Sequence, residues 1–311
     1  MNDNKTNSPL LCDIETGMCE TPNTQTEQQS IKNTPLQGEK IKVVYFTDPI
    51  CSSCWGIEPQ LRKLKLEYGP AIEIDYRMGG LLPDWNYNSG GISKPADVAQ
   101  HWDEVSVHYD MPIDGDVWLE DPLSSSYPSS IAFKAAQLQD KNKNEDKAIA
   151  FLRVVREMVF LEKKNIAKWE HLEAAAKQVG LDPIQLKADY EGRAKILFEE
   201  DLQLARSYGV RGFPTLFFER AETRELVYGT KPYPFYETAI LTLNPQVQKL
   251  HYTKTWEHLF SVYPTLTAKE FAELSGMPRV ESEQHLIQLV VDGILLQTTT
   301  KNGSMWTLKR S

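Results

Sequence analysis

Hydrophobic and polar positions change character several times along the 311-residue chain. The run KIKVVYFTD at residues 40–48 is continuously apolar and β-branched, which predicts a strand buried on both faces. Apolar residues then recur at helical spacing as far as Gly69, and AIEIDYRMGG predicts a second strand that ends at paired glycines. A strand, a helix and a strand in this order predict a βαβ unit with a right-handed crossover.

The middle of the chain has mainly helical character. Between about residues 95 and 205, five segments with helical periodicity follow one another with loops between them. GFPTLFFER and ELVYGT then return to strand character, and a short helix follows at residues 233–243. Together with the βαβ unit, these segments predict an α/β domain over residues 40–245 that carries a large helical insertion.

A second, smaller unit is predicted at residues 253–311. Three short helices precede ILLQTTTKNGSMWTLKR, in which Asn302 and Gly303 are a strong hairpin signal. Thr267 is the predicted N-cap of the middle helix, and Gly276 is its predicted stop. This order of elements predicts a small winged-helix-like module.

The first 39 residues are rich in Asn, Thr, Gln, Glu, Ser and Pro and have no hydrophobic period. Such a segment buries too little apolar surface to offset its chain entropy, so we expect a disordered tail. The tail carries Cys12 and Cys19, which are separated by six residues.

Composition and charge narrow the classes of function. With 43 acidic and 34 basic residues, the net charge is -9, which argues against a strongly basic nucleic-acid surface over the whole chain. No run approaches the roughly 20 apolar residues of a membrane span, and the N-terminus shows no export signal. We therefore expect a cytoplasmic protein without a membrane or nucleic-acid partner.

A DNA-binding role for the C-terminal module stays open as an alternative. Its third helix, RVESEQHLIQLVVDG, has three acidic residues and one arginine, whereas a helix that faces phosphates should be basic. Interaction with protein, or packing on the main domain, therefore agrees better with this helix. The basic residues of the hairpin, Lys301, Lys309 and Arg310, favour the DNA alternative.

The segment FTDPICSSCWG, residues 46–56, places Cys51 and Cys54 at the start of a predicted helix. Backbone N–H groups and the helix dipole stabilise a thiolate there, and such cysteines have pKa values of about 3.5 to 7 against about 8.5 for an ordinary thiol. Cys51 would then be the reactive thiol and Cys54 its resolving partner. A zinc or iron–sulfur site completed by Cys12 and Cys19, and a purely structural pair, remain alternatives.

A second distant motif, GVRGFPTLFF, has a proline at the edge of a predicted strand. A cis bond between Phe213 and Pro214 would turn this edge outward and expose the backbone of Phe213 to a passing chain. A loop proline before an ordinary strand is the alternative interpretation. Trp55, beside the cysteine pair, is either a lid over the sulfurs or a core aromatic residue.

DPICSSCW, the helical insertion and GVRGFPTLFF together resemble the thioredoxin superfamily, in the branch with an inserted helical domain that includes DsbA. Over about residues 41–243 the chain is similar to cytoplasmic DsbA-like proteins of the FrnE and YjbH/SpxH type. The resemblance implies that Cys51 is the nucleophile, Cys54 the resolving thiol and Pro214 the cis-proline that holds a substrate strand, with Phe213 as a tuning position. Serines replace the Pro-His pair of DsbA, so a strong oxidase is not expected.

Two functions are compatible with this resemblance. The first is a thiol-disulfide oxidoreductase or disulfide isomerase that acts on protein or thiol substrates through mixed disulfides, without a cofactor or metal. The alternative is a non-enzymatic, YjbH/SpxH-like adaptor that presents a transcription regulator to the ClpXP protease. Cys12 and Cys19 have three possible interpretations: two exposed thiols without a role, a candidate accessory dithiol that exchanges with Cys51 and Cys54, or metal ligands as in some YjbH-like proteins.

Overall fold

A computed structural model describes residues 40–86, 94–140 and 146–309, together with the backbone of residues 12–13 and 18–20. The strands are β1 (Cys12–Asp13), β2 (Met18–Glu20), β3 (Ile41–Thr47), β4 (Ile72–Met78), β5 (Gly212–Phe213), β6 (Thr215–Arg220), β7 (Thr223–Tyr228), β8 (Thr265–Thr267), β9 (Leu295–Thr300) and β10 (Gly303–Leu308). The helices are α1 (Ser52–Gly56), α2 (Glu58–Tyr68), α3 (Pro95–Tyr109), α4 (Val117–Glu120), α5 (Tyr127–Asp140), α6 (Lys147–Phe160), α7 (Trp169–Gln178), α8 (Pro183–Glu191), α9 (Arg193–Ser207), α10 (Tyr233–Leu243), α11 (Trp256–Val262), α12 (Ala268–Ser275) and α13 (Arg279–Val291). Among these helices, none combines the length and apolar character needed to cross a membrane.

The central sheet has four strands in the order β4-β3-β6-β7. β3 and β4 run parallel, with Ile41 opposite Ile72, whereas β6 runs antiparallel to both β3 and β7. The helices α1 and α2 form the crossover between the two parallel strands. The predicted βαβ unit and the thioredoxin-like α/β fold are therefore confirmed.

Strand β3 sends its side chains to both faces of this sheet. Ile41, Val43 and Tyr45 join a core formed with α2 and α10. Val44 and Phe46 join a larger core formed with the inserted helices. The strand is buried on both faces, as its continuous apolar sequence predicts.

Seven helices of the described chain, α3 to α9, connect β4 to β5 and form the inserted helical region. The insertion was expected from about residue 95, and α3 was not predicted as a helix. α6 is buried along almost its whole length, including Arg153, Arg156 and Glu157. Three charged side chains on one buried helix require partners in the interior, because an unpaired buried charge is strongly unfavourable.

The C-terminal elements form a separate core and a three-stranded sheet in the order β8-β10-β9. Thr267 and Glu270 cap each other at the start of α12: Glu270 N donates to Thr267 Oγ1 (3.2 Å), and Thr267 N donates to Glu270 Oε2 (2.8 Å). Gly276 ends the helix at φ 77°, so both predicted ends are confirmed. β8 was not predicted, and the winged-helix class and the boundary at residue 253 stay predictions.

Five residues of the N-terminal segment form short strands. β1 pairs antiparallel with β2, and β2 pairs antiparallel with β5. The sequence predicted no regular structure here, because the pairing is supplied by the edge of a distant strand and leaves no local pattern. The rest of residues 1–39 lies outside the described residues, where the disordered tail stays a prediction.

Candidate functional site

Cys51 lies where the chain turns from β3 into α1. Its N–H donates to the carbonyl of Asp48 (3.2 Å), and its extended backbone makes it the N-cap residue of the helix. The N–H of Cys54 donates to Cys51 Sγ over 3.2 Å. The two cysteines therefore face each other across the first turn of α1, with Cys51 one position before the helix.

Both thiols are closed off from solvent, with 0% exposed surface on either cysteine. Burial raises the pKa of Cys51 well above its ordinary value, and the neighbouring Cys54 raises it further. Burial also acts to raise the pKa of Cys54, but hydrogen bonding with Cys51 and the charge of Arg156 outweigh it and lower that pKa. Burial thus opposes the lowered pKa expected at Cys51, because one N–H bond does not offset the loss of water around the sulfur.

Asp48 is the buried acid of this region. Its carboxylate accepts hydrogen bonds from the N–H groups of Ile50 (3.1 Å) and Leu81 (2.8 Å) and from Ser126 Oγ (2.9 Å). Burial nevertheless raises the pKa of Asp48 to about 6. Asp48 thus ties the loop before Cys51 to the end of β4 and to the inserted helices.

Arg156 of α6 is the buried cation beneath the cysteine pair. Its Nη2 donates to Thr47 Oγ1 (2.6 Å), and its Nη1 pairs with Glu58 at the start of α2. No sequence motif points to this residue, since a single arginine within an apolar helix forms no recognisable pattern. Its charge lowers the pKa of Cys54.

The Phe213–Pro214 peptide bond is cis in the structure. Phe213 is fully buried, and its ring lies directly against the backbone of Gly79: a Cβ atom on Gly79 would lie 1.8 Å from Phe213 Cζ. The backbone edge of Phe213 is paired with β2 in the structure. A substrate-binding role for Phe213 and Pro214 stays a prediction.

Trp55 is a core residue with no exposed surface, which agrees with the second of its two interpretations. The indole Nε1 donates to the carbonyl of Pro112 (3.1 Å), and the ring stacks on Phe160 with 5.5 Å between centroids. The guanidinium of Arg153 lies 4.3 Å from the centre of the Trp55 ring. Trp55 therefore connects the cysteine helix to α6 rather than covering the sulfurs.

Arg153 in turn reaches the C-terminal elements. Its Nη1 and Nη2 donate to Glu270 Oε1 (2.7 Å) and Oε2 (3.1 Å) at the start of α12. Arg62 of α2 lies 3.2 Å from Glu270 Oε1, and Arg153 Nε also donates to Glu157 (2.6 Å). We call Arg62, Arg153, Glu157 and Glu270 the module junction, because these buried charges fix the C-terminal module on the main domain.

The hairpin between β9 and β10 makes a second contact with the main domain. Asn302 Nδ2 donates to Asp103 Oδ1 (2.7 Å) and to the carbonyl of Ile113 (2.8 Å). Lys301 Nζ lies 2.7 Å from Asp103 Oδ2. The hairpin is thus packed on α3, and Lys301 is held by carboxylates of this chain.

Helix α13 presents an apolar stripe to solvent. Val280, Ile287 and Val291 are exposed by 67%, 43% and 73%, and their spacing of seven and four residues places them on one side of the helix. Leu286 and Leu289 face the opposite way, into the core of the module. The one arginine of this helix, Arg279, donates to Asp110 (2.7 Å) and Glu283 (2.8 Å).

Among the residues that the structure describes, no three His, Cys, Asp or Glu side chains come together in a group that would hold a metal ion. The side chains of Cys12 and Cys19 are not among those described, so the metal-ligand interpretation of that pair stays a prediction.

The family model described as "Thioredoxin" matches residues 45–238 of the chain. The ClpXP adapter protein SpxH of Halalkalibacterium halodurans is 34% identical over 315 aligned residues, which cover 98% of this chain and 97% of the relative. The ClpXP adapter protein SpxH of Bacillus subtilis is 28% identical, with 86% of this chain and 88% of the relative covered.

Among solved structures, the chain is similar to the cytosolic disulfide reductase DsbM from Pseudomonas aeruginosa. The TM-score is 0.54 at 20% identity, and the alignment covers 66% of this chain and 99% of that chain. At this identity the similarity shows a common fold and carries no argument about activity. It supports the DsbA-like architecture that the two sequence motifs predicted.

Proposed function

The chain belongs to the SpxH family of thioredoxin-like proteins, and from that membership we propose that it is an adaptor that delivers a client protein to the ClpXP protease. The carrying observation is the 34% identity with an SpxH adapter protein over 98% of the chain. The resemblance to this family implies a transcription regulator as the client. As an adaptor for ClpXP, the protein would act in the cytoplasm.

The environment of the cysteine pair supports a binding role over a redox role. Attack on the disulfide of a separate client protein requires a thiolate that the client can reach. Cys51 has no exposed surface, and burial raises its pKa. An adaptor needs neither property, because its client is held by a surface.

The apolar stripe of α13 is the surface that we assign to partner binding. Exposed apolar side chains at helical spacing mark a protein interaction site more often than isolated apolar residues do. The module junction and the hairpin contact hold this helix in a fixed position relative to the thioredoxin-like domain. A rigid placement suits an adaptor, since it loses little conformational freedom when it binds.

The test uses purified ClpXP and clients trapped in cells by a proteolytically inactive ClpP. Proteins that accumulate in the trap only when the full chain is present are identified by mass spectrometry and then degraded in vitro. Addition of the chain should raise the degradation rate of such a client, and Cys51→Ser with Cys54→Ser should retain that increase. Without any client whose degradation responds to the chain, the adaptor proposal fails.

A charged substitution tests the proposed surface. Ile287→Glu should weaken client or ClpX binding by about 2 kcal/mol, which is roughly thirtyfold in Kd, because it places an unpaired charge in an apolar contact. Ile184→Glu is the control, since Ile184 is an exposed isoleucine on α8, outside the C-terminal module, with 81% of its surface exposed against 43% for Ile287. Equal binding by the two variants would remove α13 from the interface.

The second candidate is a thiol-disulfide oxidoreductase. It is favoured by one arrangement, the hydrogen-bonded Cys51 and Cys54 at the start of α1 together with a cis bond before Pro214. The wild-type chain and the Cys51→Ser variant are compared in insulin reduction with dithiothreitol. A wild-type rate equal to that of the variant would exclude this candidate, and a higher rate would support it.

A further inference from the structure

The N-terminal strand β2 occupies the backbone edge of β5. Cys19 lies directly opposite Phe213, and Glu20 lies opposite Gly212, in an antiparallel pair. An exposed strand edge is the common docking place for an extended peptide. Here the occupant is a segment of the same chain, immediately before the cis bond.

β2 also lies beside the cysteine helix. Cα atoms of β2 are within 8 Å of Cα atoms of α1, which begins one residue after Cys51. The same short strand is therefore adjacent to both elements of the candidate site, β5 and α1.

The partner strand β1 places Cys12 directly opposite Cys19. Residues opposite each other in an antiparallel pair have Cα atoms about 4.5–5.5 Å apart, which lies within the range of about 4.4–6.8 Å for a disulfide. The backbone register is thus suitable for a Cys12–Cys19 disulfide, and β2 lies next to α1, the helix that begins one residue after Cys51.

We propose that the paired strands β1 and β2, which we call the N-terminal hairpin, are a substrate of the cysteine site in the same chain. In this proposal the Cys12–Cys19 disulfide exchanges with the Cys51–Cys54 dithiol through a mixed disulfide between Cys19 and Cys51. This inference goes beyond the adaptor proposal and does not depend on it. It gives Cys12 and Cys19 a function and gives the buried Cys51 a reaction partner on a neighbouring strand of the same chain.

The exchange balances within the chain. The Cys51 thiolate attacks the sulfur of Cys19, the Cys12–Cys19 bond breaks, and Cys12 leaves as a thiolate that takes up a proton. Cys54 then loses its proton and attacks Cys51, so that the Cys51–Cys54 bond forms and Cys19 leaves as a thiolate. Two electrons pass from one pair to the other, and no external oxidant or reductant takes part.

An internal partner offsets the slow reaction of a closed thiol. A tethered segment has an effective concentration of about millimolar or more, well above that of a cellular protein client. Since Cys51 has no exposed surface, an external client would reach it only after a rearrangement of the site. Strand β2 needs no such rearrangement, because it already lies next to α1.

The experiment traps the mixed disulfide in the full chain. Cys12→Ser with Cys54→Ser leaves Cys19 and Cys51, whereas the matched variant, Cys19→Ser with Cys54→Ser, leaves Cys12 and Cys51. Both are incubated in a buffer of reduced and oxidised glutathione, quenched by alkylation, digested and measured by non-reducing mass spectrometry. The Cys19–Cys51 crosslink should exceed the Cys12–Cys51 crosslink about tenfold or more, because only Cys19 is in register with Phe213.

Equal yields of the two crosslinks, or glutathione adducts alone in both variants, would overturn the proposal. Adding Glu20→Pro to the first variant should abolish the excess, since proline disrupts strand pairing with β5. The wild-type chain provides a measurement without cysteine substitutions. After oxidation by one equivalent of diamide, the disulfide should be found distributed between the two pairs, and a disulfide confined to one pair at all times would contradict exchange.

Discussion

The cysteine site and the module junction both lie against the buried helix α6, yet the pKa values of their buried acidic groups shift in opposite directions. At the junction, Arg153 and Glu270 neutralise each other at hydrogen-bond distance, and burial acts to raise the pKa of Glu270, but the arginines lower it. At the cysteine site, burial dominates, and it raises the pKa of both Asp48 and Cys51. The junction thus carries compensated charge, whereas at the cysteine site burial favours the neutral forms of Asp48 and Cys51.

This difference bears on function. A thiol that is held neutral and closed is a poor nucleophile, while a network of paired charges is a rigid connection. Trp55 joins the two regions, because it follows Cys54 in α1 and packs under Arg153. The molecule therefore combines the backbone arrangement of a dithiol site with a C-terminal module that is fixed in position, which agrees with the adaptor proposal.

The largest expected effect is at the junction. Glu270→Gln removes the buried carboxylate that Arg153 and Arg62 share, and leaves them with Glu157 and Glu58 as acidic partners, so the free energy of unfolding should fall by about 3 kcal/mol. Urea denaturation followed by tryptophan fluorescence measures the change. Glu273→Gln is the control: its pair with Lys63 is partly exposed and should cost no more than about 1 kcal/mol. Similar losses in both variants would show that the junction is no stronger than a surface pair.

The cysteine site should respond to pH where the junction does not. Folding raises the pKa of Asp48 from 3.8 to about 6, so between these values the folded state holds a proton that the unfolded state has released. Stability therefore falls as the pH rises through this window, by roughly 3 kcal/mol in total. Asp48→Asn cannot ionise, and its free energy of unfolding relative to wild type should increase by that amount between about pH 4 and pH 7.

Ser126→Ala sharpens this measurement. Ser126 Oγ donates to the Asp48 carboxylate, so its removal should raise the pKa of Asp48 further and extend the loss of stability to higher pH. The free energy of unfolding is measured by urea titration at a series of pH values. Parallel pH profiles for wild type and Asp48→Asn would contradict a protonated Asp48 in the folded protein.

Packing at the cis bond should give a smaller effect. Gly79→Ala would drive a Cβ atom into the ring of Phe213, and overpacking of this kind costs about 1–3 kcal/mol. Gly69→Ala is the control, because the nearest atom to its added Cβ is Lys65 Cγ at 3.9 Å. Combining Gly79→Ala with Phe213→Leu should recover part of the loss in thermal denaturation, and full additivity would show that the ring is not the obstacle.

The cysteine site was largely predictable from the sequence, whereas the junction was not. Cys51, Cys54 and Pro214 stand in local motifs, and their order along the chain determines which elements carry them. Arg153 and Glu157 are spaced i, i+4, a pattern typical of an exposed helix surface. Their burial follows from the packing of α6 between the main domain and the C-terminal module, and no local sequence pattern indicates that packing.

The strands β2 and β8 were missed for a related reason. Each is three residues long and exists only because a distant strand offers it backbone partners, β5 in one case and β10 in the other. A hydrophobic period needs more residues than this to be recognised. Long elements with many apolar residues, such as β3 and α6, were predicted correctly because their own sequence determines them.

The smallest expected effect tests whether the two regions are coupled. Trp55→Phe removes the hydrogen bond to the Pro112 carbonyl and weakens the contact with Arg153, which should cost about 1 kcal/mol. Trp85→Phe removes an equivalent indole bond, to Leu123, at a distance from the junction.

In double-mutant cycles with Glu270→Gln, the Trp55 substitution should deviate from additivity by at least about 0.5 kcal/mol, because both changes act on the position of Arg153. The Trp85 substitution should be additive with Glu270→Gln. Additivity in both cycles would mean that the module junction and the cysteine site are independent. A deviation confined to Trp55 would show that Arg153 couples the module junction energetically to α1, the helix that carries Cys54.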